Sequence, residues 1–288
     1  MLEEIMLKVT ENPECNLNIE ELEKIYYIEH IPYDDITFAL SIIFIDRYTL
    51  VKKDLIRLYG RDKVALNIDE IDENTICYAG SLVVDKMLPT HNLKYIYGNL
   101  KYELEELCNL ENLEIVCGNI NFNRIDSLEG LENLKIVGQN FYLNDLKSAE
   151  YLESLEFVGG NIYINNIESS NGLENLEYIG NSAYFNNLTS ADGLINLKYI
   201  GSYANFQHLI FSNGLEKLEY IGGEANFESL KNAEGLINLK HIGLDANFPS
   251  LLNSNGLEKL TYIGKKENFG GMSLSEFIDR SKSLCLKK

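Results

Sequence analysis

Apolar positions recur with a period of 20 to 21 residues over most of the chain downstream of about residue 76. Ile or Val precedes a glycine, and Leu stands three residues before that apolar residue, as in Leu176, Ile179 and Gly180. A unit this short cannot bury its apolar face alone and must stack on its neighbours, which is typical of a solenoid. Repeats built from helix pairs need about 33 residues or more, so the period favours stacked β-coils. The glycines that mark the units are Gly118, Gly138, Gly159, Gly180, Gly201, Gly222, Gly243 and Gly264.

A second strand follows each glycine. In the later coils a Phe stands five residues after the glycine and an Ala two residues before that Phe, as in Ala183 and Phe185. This alternation predicts a strand whose Ala and Phe side chains face the core. We interpret the glycine as a corner, where a positive φ or close packing excludes a Cβ.

The segment "LESLEFVGGNIYINN" (Leu152 to Asn166) resembles the repeat of receptor L domains, a right-handed β-helix relative of leucine-rich repeat proteins. The phrase "GLxNLxxIG" is similar to that of intracellular bacterial leucine-rich repeat proteins. The resemblance covers about two thirds of the chain and implies a fold but no particular function. The chain has neither the disulfide-rich modules nor the kinase of growth-factor receptors, so the resemblance does not imply a receptor role.

These patterns predict a mainly β solenoid, a parallel β-helix or leucine-rich-repeat-like fold, over residues 67–271. Residues 1–66 have apolar positions at helical spacing, including the run Ile36 to Ile45, and predict an α-helical N-terminal domain or cap. Residues 272–288 predict a C-terminal capping helix and tail, because Ser273 and Glu276 have the spacing of a capping box.

Two features of the repeat concern its surface. The residue after the conserved Leu nearly alternates in charge along the stack, as in Lys94, Glu114 and Lys135. This column predicts a ladder of ion pairs between coils about 4.8 Å apart. The phrase "SNGLE" returns only in every second coil, which indicates a duplicated block of 42 residues.

Aromatic side chains recur at two positions that we expect to face outward. The first strand presents a column from Tyr95 to Tyr262, and the second strand presents Tyr side chains followed by Asn. Stacked rings and amides can serve the scaffold alone, or the rings can form a face that recognises a protein or a platform for sugars. The candidate partner-binding residues are Tyr142, Tyr163, Tyr184, Tyr178, Tyr199, Tyr220, His241 and Tyr262.

The charge of the chain restricts its partners. The 288 residues carry a formal net charge of −19, which disfavours direct binding to nucleic acids and to anionic membranes. Acidity of this size promotes solubility, or it serves an inhibitor that mimics nucleic acid.

No catalytic, cofactor or metal site is predicted. The five Cys form no CxxC pair, the four His lie far apart in sequence, and the acidic residues form columns without clustering around an Arg. The acidic N-terminus does not resemble a secretory signal, so we expect a cytoplasmic protein with free thiols. We therefore predict a non-enzymatic module that binds a protein, through the Tyr/Asn-rich face or the N-terminal domain. An acidic nucleic-acid mimic and a carbohydrate-binding or polysaccharide-cleaving β-helix remain alternatives, and the oligomeric state stays open.

Overall fold

The computed structural model describes Ile56, Tyr59–Phe122, Ile125–Asn144 and Leu146–Cys285. The predicted helices of residues 1–55 lie outside the described residues. Over the described part, short parallel strands stack coil on coil into two sheets, which confirms the predicted mainly β solenoid. The first strand, Val64–Ala65, lies inside the segment that we had assigned to helices.

The first sheet has 11 parallel strands, each from the part of a coil that precedes the corner glycine. In chain order they are β1 (Val64–Ala65), β2 (Cys77–Tyr78), β4 (Tyr95–Ile96), β6 (Ile115–Val116), β8 (Ile136–Val137), β10 (Phe157–Val158), β12 (Tyr178–Ile179), β14 (Tyr199–Ile200), β16 (Tyr220–Ile221), β18 (His241–Ile242) and β20 (Tyr262–Ile263).

The second sheet has 10 parallel strands, each following the corner. They are β3 (Leu82–Val84), β5 (Leu100–Tyr102), β7 (Ile120–Phe122), β9 (Phe141–Tyr142), β11 (Ile162–Tyr163), β13 (Ala183–Tyr184), β15 (Ala204–Asn205), β17 (Ala225–Asn226), β19 (Ala246–Asn247) and β21 (Glu267–Asn268). Short 3-10 turns at Arg61–Lys63, Ile68–Glu70 and Glu234–Leu236 complete the regular structure before the C-terminal helix.

The predicted core columns are buried. The Leu and Ile/Val columns of the first strands face the interior, including Ile179, and so do the Ala and Phe columns of the second strands. Phe185, Phe206, Phe227, Phe248 and Phe269 form a continuous stack with ring centroids 4.9 to 5.3 Å apart. A buried Ala stands two residues before each of the first four rings, on the same side of the strand.

Close packing is the reason for the glycine corner. A Cβ on Gly180 would lie 2.3 Å from the carbonyl oxygen of Gly159, and one on Gly201 would lie 2.0 Å from that of Gly180. The sequence analysis placed Gly118 and Gly138 at the same position of successive coils. In the structure Val116 pairs with Val137, so Cys117 and not Gly118 lies opposite Gly138.

The duplicated block of 42 residues is visible in the backbone. Gly172, Gly214 and Gly256 have φ of +98°, +94° and +88°, and each donates its N–H to the Glu two residues later. In the intervening coils Gly193 and Gly235 are outside the left-handed region and donate instead to a buried Ser hydroxyl of the preceding coil, at 2.9 Å. From the coil of Gly172 onward, successive coils thus alternate between two turn structures.

The C-terminal helix α1 (Leu274–Cys285) covers the last coil. The Glu276 N–H donates to the Ser273 hydroxyl at 3.3 Å, and the Ser273 backbone N–H donates to the Glu276 carboxylate at 2.9 Å. This is the predicted capping box. The Phe277 ring continues the interior stack at 5.8 Å from Phe269, so the helix closes the apolar end of the solenoid.

Candidate interaction surfaces

The outer column of the first sheet is buried over its first half. We expected the column from Tyr95 to Tyr262 to face solvent, and this was wrong for its members from β4 to β12. Ile136 is fully buried and Tyr178, one of the candidate binding residues, is only 7% exposed. These side chains form a second apolar cluster, separate from the interior, that we call the covered cluster: Val64, Cys77, Tyr95, Ile115, Ile136, Phe157 and Tyr178.

The second half of the same column forms an open aromatic stack. We use this name for Tyr199, Tyr220, His241 and Tyr262. Their rings lie 4.9, 4.5 and 4.4 Å apart in turn, with interplanar angles of 10° or less. Exposure increases toward the C-terminal end, where Tyr262 is 51% exposed.

Stacking determines which parts of these rings a ligand can contact. Tyr220 and His241 each have a parallel ring on both faces, so only their edges and polar atoms are accessible. Tyr262 ends the stack and has a ring neighbour on one side only among the described residues. A sugar platform and a cation–π site both need open ring faces. The stack therefore suits an edge-on protein contact better than stacking of a sugar.

The second sheet carries another Tyr stack at its outer positions. Tyr142, Tyr163 and Tyr184 lie 4.8 and 4.7 Å apart with nearly parallel rings. The ring of Tyr203 meets Tyr184 edge-on at 5.7 Å and so closes the end of this stack. Burial, together with the neighbouring Tyr side chains, raises the pKa of Tyr163 above its ordinary value.

Asn replaces Tyr in the later coils of the second sheet. The Asn226 amide donates to Asn205 at 3.1 Å, Asn247 to Asn226 at 3.0 Å, and Asn268 to Asn247 at 2.7 Å. These bonds form the predicted amide ladder and leave less hydrogen-bonding capacity for a partner. A second ladder, which our sequence analysis missed, connects Asn99, Asn119, Asn140 and Asn161; its signal was an Asn at the same interval in successive coils.

The predicted charge ladder runs beside the outer column of the first sheet. Lys94 and Lys135 both bind Glu114, at 2.8 and 3.0 Å, and Lys198 binds Glu177 at 2.8 Å. Burial of Glu114 favours its protonated form, but the two Lys hydrogen bonds outweigh this effect and its pKa is lowered. Lys240 and Glu219 pair in the same way near the open stack.

The titratable groups of the described residues include three thiols and one candidate imidazole. Cys77, Cys108 and Cys117 are free thiols, and burial raises the pKa of Cys117 to about 12. Partial burial lowers the pKa of His241, the only candidate residue with an imidazole. Within the described ranges, no three His, Cys, Asp or Glu side chains are grouped as metal ligands.

Apolar side chains also project from the loops that return each coil to the first sheet. Ile210, Phe211 and Leu252 are exposed there. The repeat does not predict these apolar side chains, because the equivalent positions in neighbouring coils are polar, as at Lys231 and Asn232.

No protein-family model, curated protein or solved structure matches this chain. None of the helices in the described residues has the length and apolar character needed to span a bilayer.

Proposed function

We propose that this protein is a non-enzymatic, cytoplasmic interaction module that binds a protein through the open aromatic stack. The observation that carries the proposal is the four-ring row Tyr199 to Tyr262, whose ring edges are exposed on a rigid sheet. Tyr contributes a large contact area with few rotatable bonds, and it is enriched at protein interfaces. Because stacking already holds the rings in place, binding costs little conformational entropy.

We further propose that the fold belongs with the leucine-rich-repeat and receptor L-domain solenoids. Support comes from the buried Leu and Ile columns and from the period of the coils, which match the residues on which the resemblance rests. A solenoid of this kind is a rigid support for a binding surface on one side.

Two double variants separate the two Tyr surfaces. The test is capture of the partner from the native cell, its identification by mass spectrometry, and measurement of binding with purified proteins. Tyr220→Ala with Tyr262→Ala should weaken binding by about 100-fold, since interface Tyr side chains are frequent hot spots. Tyr163→Ala with Tyr184→Ala is the matched control on the second sheet and should bind like the wild type.

Folding of each variant is checked by thermal melting. If the first pair binds normally with an unchanged melting temperature, the open stack is not the binding surface. Loss of binding in the control pair alone would assign the function to the second sheet instead. Binding that weakens steeply with added salt would favour the acidic mimic of nucleic acid, because such an interaction depends on charge.

A further inference from the structure

The covered cluster lies on the outside of the solenoid, in the same column as the open stack. Tyr178, its last member, pairs in register with Tyr199, the first ring of the open stack. Strand direction and pairing are the same on both sides of this boundary. The column side chains are buried in the first half of the sheet and accessible in the second, although the strand geometry is the same in both. Other groups must therefore cover the outer face of the first half.

The described residues just before the solenoid contact this face. Ile56 and Tyr59 pack against the covered cluster, and the Tyr59 ring stacks on Tyr95 at 5.2 Å. Tyr97 packs against the same cluster. The chain thus enters the first coil across the outer face of the first sheet. Residues 1–55 immediately precede this contact.

The earliest covered coils differ in sequence from the later coils. The corner position that Gly occupies from Gly138 onward holds Ala79, Tyr97 and Cys117 in the earlier coils, and these side chains pack against the covered cluster. The column itself holds Ile115, Ile136 and Phe157 in this region, whereas it ends in Tyr and His. Larger corner side chains and aliphatic column residues both increase the apolar area available for contact.

We propose that residues 1–55 of this chain dock on the covered cluster as an intramolecular partner. Their apolar positions at helical spacing, including the run Ile36 to Ile45, supply a complementary apolar surface. A second copy of the chain fits less well as the occupant, because a net charge of −19 opposes self-association. Docking leaves the open stack as the accessible part of the column.

The test compares two single variants of the full chain at equivalent column positions. Ile136→Asn introduces an amide into the covered cluster, where it lacks water, and Tyr220→Asn introduces the same amide into the open half. An unsatisfied buried amide destabilises the docked state, so hydrogen exchange in residues 1–55 should accelerate about tenfold or more in Ile136→Asn. The same peptides should exchange at wild-type rates, within about twofold, in Tyr220→Asn.

Thiol reactivity provides a second measurement, and its wild-type value does not depend on the folding of a variant. Cys77 belongs to the covered cluster and is fully buried, so it should resist a maleimide reagent in the native monomer and react in Ile136→Asn. Exchange of residues 1–55 at unstructured-peptide rates in the wild type would overturn the proposal. So would equal exchange in the two variants, or protection of Cys77 only at concentrations where light scattering reports a dimer.

Discussion

The covered cluster and the open stack are two halves of one column, and they differ in what surrounds them. Both are built from the first residue of two-residue strands in parallel register. Ile136 in the first half is fully buried, and Tyr262 at the far end is half exposed. The comparison shows that a repeated position in a solenoid does not imply a repeated environment, because the coil determines only whether a side chain faces in or out.

Removing one ring from each half should give the largest difference. Phe157→Ala deletes a buried ring from the covered cluster and should cost about 3 to 5 kcal/mol of unfolding free energy. Tyr262→Ala deletes a half-exposed ring that stacks on His241, and it should cost about 0.5 to 1.5 kcal/mol. Chemical denaturation of both variants measures the difference, and equal costs would contradict the division of the column.

The charge ladder offers a smaller version of the same comparison. The Glu114 side chain is 13% exposed and binds two Lys, whereas that of Glu219 is 53% exposed and binds one. Glu114→Gln should therefore lower the unfolding free energy by about 1 to 3 kcal/mol. Glu219→Gln should lower it by less than about 1 kcal/mol.

The two Glu variants are compared by measuring how their unfolding free energies change with salt concentration. Salt screens exposed charges more than buried ones. At high salt the loss of unfolding free energy in Glu219→Gln should therefore shrink toward zero. Most of the loss of unfolding free energy in Glu114→Gln should remain. A Glu219 effect as large as that of Glu114 would show that burial does not distinguish the two halves of the ladder.

The smallest expected effect is the pH dependence contributed by His241. Partial burial lowers its pKa in the folded state, so the unfolded state binds more protons as the pH falls through the ordinary His value near 6.5. The unfolding free energy should therefore decrease as the pH is lowered from about 7.5 to 5.5.

His241→Tyr is the matched variant for this effect, since Tyr is the residue at the neighbouring positions of the stack. It should remove part of the pH dependence while keeping the ring contacts with Tyr220 and Tyr262. Identical pH profiles for the wild type and the variant would show that the stack does not disfavour the protonated imidazole.

Much of the scaffold was predictable from the repeat. The Phe stack, the Ile/Val column, the alternating charges and the capping box at Ser273 and Glu276 all lie where the sequence placed them. Each depends on contacts within one coil or between adjacent coils, and a strict period reports such contacts directly. The register of Cys117 against Gly138 was missed, because spacing between glycines does not show which residues pair when a unit is one residue shorter.

The sequence alone determined that this chain forms a stack of parallel coils with Leu, Ile and Phe inside, since no other arrangement buries so short an apolar repeat. Only the tertiary structure decided which part of the outer column is free. Tyr178 and Tyr220 have the same residue type, the same strand position and the same adjacent residues in sequence, but Tyr178 lies in the covered cluster. Local periodicity encodes the direction of a side chain, whereas its access to a partner depends on what packs over it from elsewhere in the chain.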